Sequence, residues 1–279
     1  MIASVPILED AGQEDPEMPA PTTRARLGFR DGDRGVHSSR TIMLAELEML
    51  LDQALPEMTM VDYRRLVVQD NVLRKPTNTT REHTVRKLKA LYGLDPRLPA
   101  YRALVRLWKV DAESRPLLAM LCAQARDPLL RLASPPVLSV EYGTAVPPDA
   151  IVARLATAAP GRFSETNAKA IASRVLSSFE QSGHLAGRST KIRCATVATP
   201  VSATYAFFLA YLEGLRAQRV LSSWWASLLD ASPDRLHDLA QAASRRSLFT
   251  FRHIGAVVEL RFPELLTRDE EDLTRVQQD

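Results

Sequence analysis

Apolar residues recur every three to four positions in one segment of this chain after another, and this spacing constrains the fold more than any other feature. In residues 39–56 it places a row of side chains on one side of a helix, namely Ile42, Leu44, Leu47, Leu50, Leu51 and Leu55. This period is that of an α-helix with one buried face. Helical patterns also occur at 60–73, 80–92, 97–133 and 164–183. The sequence therefore predicts a mainly α protein.

Strand-like patterns are confined to two short segments, each directly after a predicted helix. Residues 184–197 contain a Gly-Arg-Ser-Thr turn between extended runs, and residues 248–266 turn at Ile254-Gly255. Each segment is long enough for one β-hairpin. The expected fold is a set of helix-turn-helix or winged-helix units whose short hairpins pack on a helical core.

The chain has 279 residues, 46% of them hydrophobic, which suffices for one large domain or two modest ones. Residues 1–38 lack apolar periodicity, and a Pro-rich stretch separates two helical halves. The predicted divisions are a disordered tail at 1–38, a helical domain with a helix-turn-helix at 39–133, a linker at 134–150, a winged-helix-like domain with two hairpins at 151–266 and an acidic tail at 267–279.

Charge is unevenly distributed, although the whole chain carries a net charge of only +3. The first 19 residues hold five acidic and no basic residues, and residues 264–279 hold six acidic and two basic ones. The remaining body, residues 20–263, therefore carries a net charge of +12. A basic body favours polyanionic partners such as nucleic acid.

Basic side chains are concentrated on the predicted helix at 80–92. At helical spacing, Thr84, Val85, Leu88, Leu91 and Tyr92 share one face, and the polar face is basic. Two helices and a short turn precede this helix, which is the outline of a helix-turn-helix. The alternative is a solvated surface helix. The candidate DNA-binding residues are Arg81, His83, Arg86, Lys87 and Lys89.

A second candidate surface is the helix at 164–183, with Ser164 as its N-cap and Gly183 at its end, together with the hairpin that follows it. One face of this helix is apolar, and Gln181 lies on the opposite, polar face. Short polar side chains flanked by cations suit a DNA groove, because they approach base edges while the cations hold phosphates. A helix followed by a basic hairpin is the winged-helix arrangement, and the alternative is a plain structural hairpin. The candidate residues are Lys169, Ser173 and Arg174 on the helix and Arg188, Lys191 and Arg193 on the hairpin.

A third basic cluster lies near the C-terminus. The helix predicted at 232–247 begins with Ser232 as a cap and Pro233 in the first turn, and two strands follow it. Val258, Leu260 and Phe262 are expected to face the core. The candidate DNA-binding residues of this unit are Arg245, Arg246 and Arg252.

Catalytic signatures do not occur in the sequence. It contains no Gly-rich phosphate loop, no G-x-S-x-G and no H-E-x-x-H, and no third group is evident that would orient a His184–Cys194 nucleophile pair. Cys122 and Cys194 are far apart and suit neither a disulfide framework nor a zinc site, so both are interpreted as buried small residues. We therefore expect a protein without enzymatic activity, cofactor or metal.

No apolar run is long enough for a membrane helix, which needs about 18–20 residues. The most apolar stretch, 201–215, contains Ser202 and Glu213. The first residues lack the basic region of a secretory signal and turn acidic at once. The expectation is a cytoplasmic protein that does not contact a membrane.

Four segments, 70–96, 126–133, 177–188 and 255–266, together resemble the BrxA family, a small component of bacterial BREX phage-exclusion systems. The likeness extends over residues 39–266. The resemblance implies a helical, winged-helix protein that binds double-stranded DNA. It also implies antiviral defence beside a methyltransferase, an ATPase and a phosphatase-like protein.

The sequence as a whole favours a double-stranded DNA-binding component that neutralises phosphates with Arg and Lys and recruits partner proteins. Two alternatives remain. One is an assembly scaffold whose basic faces bind an acidic protein. The other is an RNA-binding regulator, for which exposed aromatic residues suited to base stacking are not apparent.

Overall fold

The computed structural model describes residues 22–254 and 257–275, and it is mainly helical with two small antiparallel hairpins. The first half contains α1 Thr23–Leu27, α2 Leu44–Leu51, α3 Met60–Arg64, α4 Asn78–Tyr92, α5 Pro99–Trp108, α6 Arg115–Arg126, α7 Pro128–Ala133 and α8 Pro135–Leu138. The second half contains α9 Pro148–Ala158, α10 Glu165–Gln181, β1 Leu185–Ala186, β2 Ile192–Arg193, α11 Pro200–Leu212, α12 Gln218–Leu221, α13 Trp224–Ser227, α14 Pro233–Arg245, β3 Thr250–Ile254, β4 Val257–Arg261 and α15 Arg268–Arg275. Among the described residues, no helix is both long and apolar enough to cross a membrane.

Helix α11 forms the centre of the core. Thr199 and Ser202 cap its N-terminus reciprocally, Pro200 occupies the first turn, and every residue from Val201 to Leu212 is buried. It packs against α5, α6, α13 and α14. Because helices from both halves of the chain surround α11, the apolar cluster runs without a break from Leu27 to Leu265.

The Pro-rich segment at 134–150 is predicted from the sequence to be a linker between two domains. In the structure it does not divide the apolar core. It contains α8, and the side chains of Val137 and Val146 are buried in the common apolar cluster. Proline here occupies the first turns of α8 and α9, where its missing N–H costs no helical hydrogen bond. The two halves predicted from sequence therefore share one core.

The prediction of a disordered tail is wrong for residues 22–38, and residues 1–21 lie outside the described part of the chain. Helix α1 is capped by Thr22, and a 3₁₀ turn spans Val36–Ser38. Leu27, Phe29 and Val36 are buried in the core. The segment lacks helical periodicity because irregular backbone, held by distant side chains, places these residues in the core.

Part of the acidic tail predicted at 267–279 is the packed helix α15, while residues 276–279 lie outside the described residues. Arg102 Nη2 lies 2.6 Å from Glu270 Oε2. Arg216 Nη2 donates to Thr274 Oγ1 at 2.6 Å. These contacts dock α15 against α5 and the end of α11.

The C-terminal hairpin follows α14, which Ser232 caps as predicted. Val258, Leu260 and Phe262 are buried, while Glu259 and Arg261 lie at the surface, as the alternation predicted. Gly255 of the predicted turn lies outside the described residues.

The β1–β2 hairpin is extended by a third strand-like segment. Arg193 N donates to Thr144 O at 2.9 Å, and Val146 N donates to Lys191 O at 2.8 Å. An isolated bridge joins Ala145 to Ile192. The spatial order is therefore β1, β2 and then residues 143–146, with α9 packed on α10 beside them.

Candidate nucleic-acid interface

Helix α4 presents one buried and one basic face, as its spacing predicted. Thr77 caps it by accepting from Thr80 N at 3.2 Å, and Gly93, at φ +95°, ends it. The buried residues are Thr84, Val85, Leu88, Leu91 and Tyr92. His83, Arg86 and Lys89 are exposed, and Lys87 is half-buried. Packing of the apolar face thus fixes where the basic face points.

Two adjoining depressions bring basic residues from three distant parts of the chain together. The larger has a volume of about 450 Å³ and is lined by Arg30, Arg34, His83, Arg86, Lys87 and Arg162 together with six uncharged residues. The second, about 360 Å³, shares His83 and Lys87 and adds Arg40. No described Asp or Glu lines either depression. We call this surface the basic groove, defined by Arg30, Arg34, Arg40, His83, Arg86, Lys87 and Arg162.

Most of the cations in the basic groove have no carboxylate partner. Within the described part of the chain, Arg162 is the exception, at 3.5 Å from Asp33 Oδ2, which is itself exposed. Arg86 Nη2 lies 2.9 Å from His83 Nδ1, so that imidazole orients the guanidinium without neutralising it. Several positive charges within one depression therefore remain available to an anion.

Residues 28–38 reach the groove because buried polar groups hold their backbone. Arg30 N donates to Ala125 O at 3.1 Å, and Arg126 Nη1 donates to Gly28 O at 2.6 Å. A Cβ on Gly35 would lie 1.9 Å from Asp127 Oδ1, so only glycine permits this close approach. The backbone contacts carry Arg30 and Arg34 to the side of α4.

A buried Ser178–His37–Asp127 network also anchors this segment. His37 Nδ1 lies 2.8 Å from Asp127 Oδ2, and His37 Nε2 lies 2.8 Å from Ser178 Oγ. Burial alone raises the pKa of Asp127, but the hydrogen bond and charge of His37 and backbone N–H donors outweigh it and leave that pKa below its ordinary value.

This network has the residue order of a hydrolase triad, but it lacks access to substrate. All three residues are wholly buried. Ser178 Oγ also accepts from Ile42 N at 3.1 Å and lies 2.8 Å from Arg174 O within its own helix. The triad-like geometry therefore ties the 36–42 segment to α10. Sequence patterns do not reveal it, because His37 and Ser178 are 141 positions apart.

Helix α10 begins and ends where its capping pattern predicted, with Ser164 accepting from Asn167 N and Gly183 at φ +84° just beyond its end. Its predicted apolar face is buried. Lys169 and Ser173 are exposed, although Lys169 Nζ lies 2.5 Å from Glu165 Oε1.

Arg174 of α10 faces the N-terminal segment instead of an open groove. Its Nη1 donates to Ser38 O at 2.9 Å. Gln181, also predicted on the open face, accepts from Leu44 N through Oε1 at 3.1 Å. The segment predicted as a tail thus covers the C-terminal half of this polar face, and Arg174 serves as an anchor for that segment.

The hairpin presents fewer free cations than predicted. Arg188 is exposed at its tip. Lys191 Nζ lies 2.7 Å from Glu180 Oε2, and its side chain is 14% exposed. The prediction that Arg193 faces outward is wrong, because its side chain is 2% exposed and its Nη1 donates to Asp230 Oδ2 at 2.8 Å. The buried Asp230 carboxylate holds Arg193 in the interior.

Arg81 is also structural. Its Nε donates to Lys75 O and its Nη1 to Val68 O, both at 3.1 Å, so it ties the start of α4 to the π-helical segment Arg65–Gln69. Lys89 is exposed on α4 but lines neither depression.

The C-terminal candidates lie apart from the basic groove. Arg245, Arg246 and Arg252 are exposed. Arg246 lines a separate depression with Asp111 and Glu113, whose carboxylates offset its charge. None of the three lines the basic groove.

His184 and Cys194 do not form a nucleophile pair. His184 Nδ1 lies 2.8 Å from Ser182 Oγ, and its Nε2 lies 3.0 Å from Leu228 O, so both ring nitrogens have other partners. Burial lowers the pKa of His184 to about 4. Cys122 is buried as predicted, and burial raises its pKa to about 11, whereas Cys194 is only half-buried. A reactive thiolate is not formed at Cys122 near neutral pH.

No known protein-family model and no curated protein matches the sequence. The resemblance to the BrxA family therefore stays a prediction. The basic groove and the arrangement of α9, α10 and the β1–β2 hairpin are the structural features that bear on DNA binding.

Proposed function

We propose that the protein binds double-stranded DNA without catalysing a reaction, using the basic groove for the phosphate backbone. The main support for this proposal is that cations from residues 30–40, from α4 and from Arg162 lie together on one surface. No described carboxylate lines this surface. Guanidinium and ammonium groups bind phosphate and release condensed counterions, which is the main source of affinity for duplex DNA.

A second part of the proposal concerns α10 and its neighbours. In a winged-helix unit, a strand, two helices and a hairpin follow one another along the chain, and the last strand lies in the middle of the sheet. The same order is found for residues 143–146, α9, α10, β1 and β2, with β2 in the middle of the small sheet. In that interpretation the exposed N-terminal half of α10, with Thr166, Asn167, Lys169 and Ser173, enters a groove. Arg188 at the hairpin tip then contacts the backbone beside it.

The BREX role is the most specific form of the proposal. It is supported only by the segments that resemble the BrxA family, and the proposed partners are a methyltransferase, an ATPase and a phosphatase-like protein of the same system. A DNA-binding, non-catalytic component would bring such partners to DNA.

The test is a titration of the whole chain with duplex DNA, single-stranded DNA and double-stranded RNA at 50 and 200 mM salt. Contact with about four phosphates gives a slope near −3.6 in a plot of log affinity against log salt. We expect duplex DNA to bind tightest with a slope of this order. Absence of duplex binding at 50 mM salt would favour the scaffold alternative, and preference for RNA would favour the regulator.

A further inference from the structure

The larger depression of the basic groove has two chemically different parts. Cationic side chains line it together with the half-buried apolar residues Ala90 and Phe163, and the buried Val36 and Leu129 complete the apolar part of the lining. Phosphates on the outside of a duplex need the cations but gain nothing from an apolar surface. Its volume of about 450 Å³ lies within the roughly 300–1,000 Å³ range of small-ligand sites.

The Arg162–Phe163 pair adds a planar element. The guanidinium carbon of Arg162 lies 4.8 Å from the centre of the Phe163 ring. Ser164, the next residue, caps α10, so this pair is fixed at the start of a 17-residue helix. Aromatic and guanidinium planes are the surfaces on which nucleobases stack.

We propose that this depression binds one phosphorylated nucleotide unit, with the base against Phe163 and the apolar surface and the phosphate on Arg34, Arg86 and Lys87. The inference concerns the same groove as the proposed function but gives it a distinct ligand. A phosphate monoester carries a charge of about −1.5 to −2 near neutral pH, which several unpaired cations complement.

Such a unit comes from one of two sources, a free mononucleotide or the 5′-phosphorylated end of a DNA strand. The probes are therefore deoxyadenosine monophosphate, deoxyadenosine, inorganic phosphate, and one oligonucleotide with either a 5′-phosphate or a 5′-hydroxyl group. Titration calorimetry on the whole chain is expected to show one saturable site for the monophosphate. Deoxyadenosine and inorganic phosphate should each bind at least about tenfold more weakly. Deoxyadenosine lacks the phosphate that the cations bind, and inorganic phosphate lacks the base that contacts Phe163.

Ala90→Met is the discriminating variant. Ala90 is half-buried on α4, and methionine is a good helix former that fills the apolar surface while leaving every cation in place. We expect affinity for the monophosphate to fall at least about tenfold, while duplex affinity falls by much less because every cation remains in place. Phe163→Ala should act in the same direction by removing the stacking surface.

The outcomes separate the two proposals. A preference for the 5′-phosphorylated oligonucleotide, removed by Ala90→Met, would support the site and identify a strand end as its ligand. Equal affinity for both oligonucleotides, with tight monophosphate binding, would support it with a free nucleotide as ligand. No monophosphate binding, or inorganic phosphate binding equally well, would overturn the site even if duplex binding is normal. Loss of duplex binding alone would instead overturn the proposed function.

Discussion

At the scale of single residues, the surroundings of an arginine decide whether its charge is available to a ligand. Arg193 and Arg188 belong to the same hairpin, yet Arg193 and its partner Asp230 are 2% and 3% exposed, whereas Arg188 is exposed at the tip. The sequence alone does not distinguish them, because the acceptor Asp230 lies 37 positions away. One residue is part of the core and the other can meet DNA.

Replacing Arg193 by Ala is therefore expected to reduce stability. The change leaves the Asp230 carboxylate buried without its partner, which costs about 3–5 kcal/mol of unfolding free energy. Arg188→Ala is the matched control and should change that free energy by no more than about 0.5 kcal/mol. Urea unfolding followed by circular dichroism measures both. Equal stability of the two variants would show that the buried pair contributes nothing.

The buried His184 contributes to the pH dependence of folding stability. Because burial lowers the pKa of His184 to about 4 from an ordinary 6.5, the unfolded chain takes up a proton at a higher pH than the folded one. The contribution to stability is thus fully present above pH 6.5 and is lost as the pH falls toward 4. The shift corresponds to roughly 3 kcal/mol.

The corresponding variant is His184→Gln, which keeps a donor for Leu228 O but cannot be protonated. Unfolding free energy measured between pH 7 and pH 4 should fall less steeply in this variant than in the parent. Identical pH profiles would show that His184 does not titrate in this range.

At the scale of elements, sequence periodicity correctly predicted which face of a helix or strand is buried where that face follows from residue spacing. It failed where contacts with residues far along the chain determine the conformation of a segment. The buried faces of α4 and α10 and the inward residues of β4 were predicted, since each follows from spacing alone. Residues 22–38 were not, because they are held by Ala125, Asp127 and Ser178 far along the chain. For the same reason, Arg30, Arg34 and Arg40 were not among the predicted DNA-binding residues, although the segment is rich in arginine.

The attachment of the N-terminal segment can be broken at Gly35. A Cβ there would meet Asp127 Oδ1, so Gly35→Ala should displace the segment and cost roughly 1–3 kcal/mol. Hydrogen exchange of amides in residues 30–40 should accelerate, and duplex affinity should fall as Arg34 and Arg40 leave the groove. Ser38→Ala in the same turn removes only an exposed hydrogen bond and serves as the control. Unchanged exchange in Gly35→Ala would refute this anchoring.

At the scale of the whole molecule, the acidic C-terminal residues neutralise cations that lie outside the groove. Glu264 and Glu270 pair with Arg106 and Arg102 of α5. Among the described residues, cations without a carboxylate partner lie together where residues 30–40, α4 and the loop before α10 meet. A small net charge thus coexists with a strongly basic surface.

The most direct test of the central claim is charge reversal of Arg86 and Lys87 to Glu, measured by duplex DNA titration at moderate salt. Val85, Leu88 and Leu91 still hold α4, so the melting temperature should match the parent. Affinity should fall at least about tenfold, or about 1.4 kcal/mol. Arg219→Glu with Arg235→Glu changes the net charge equally on α12 and α14, which contribute nothing to the groove, and should retain most of the affinity. Parent-like affinity in the Arg86/Lys87 variant would contradict DNA binding by the basic groove.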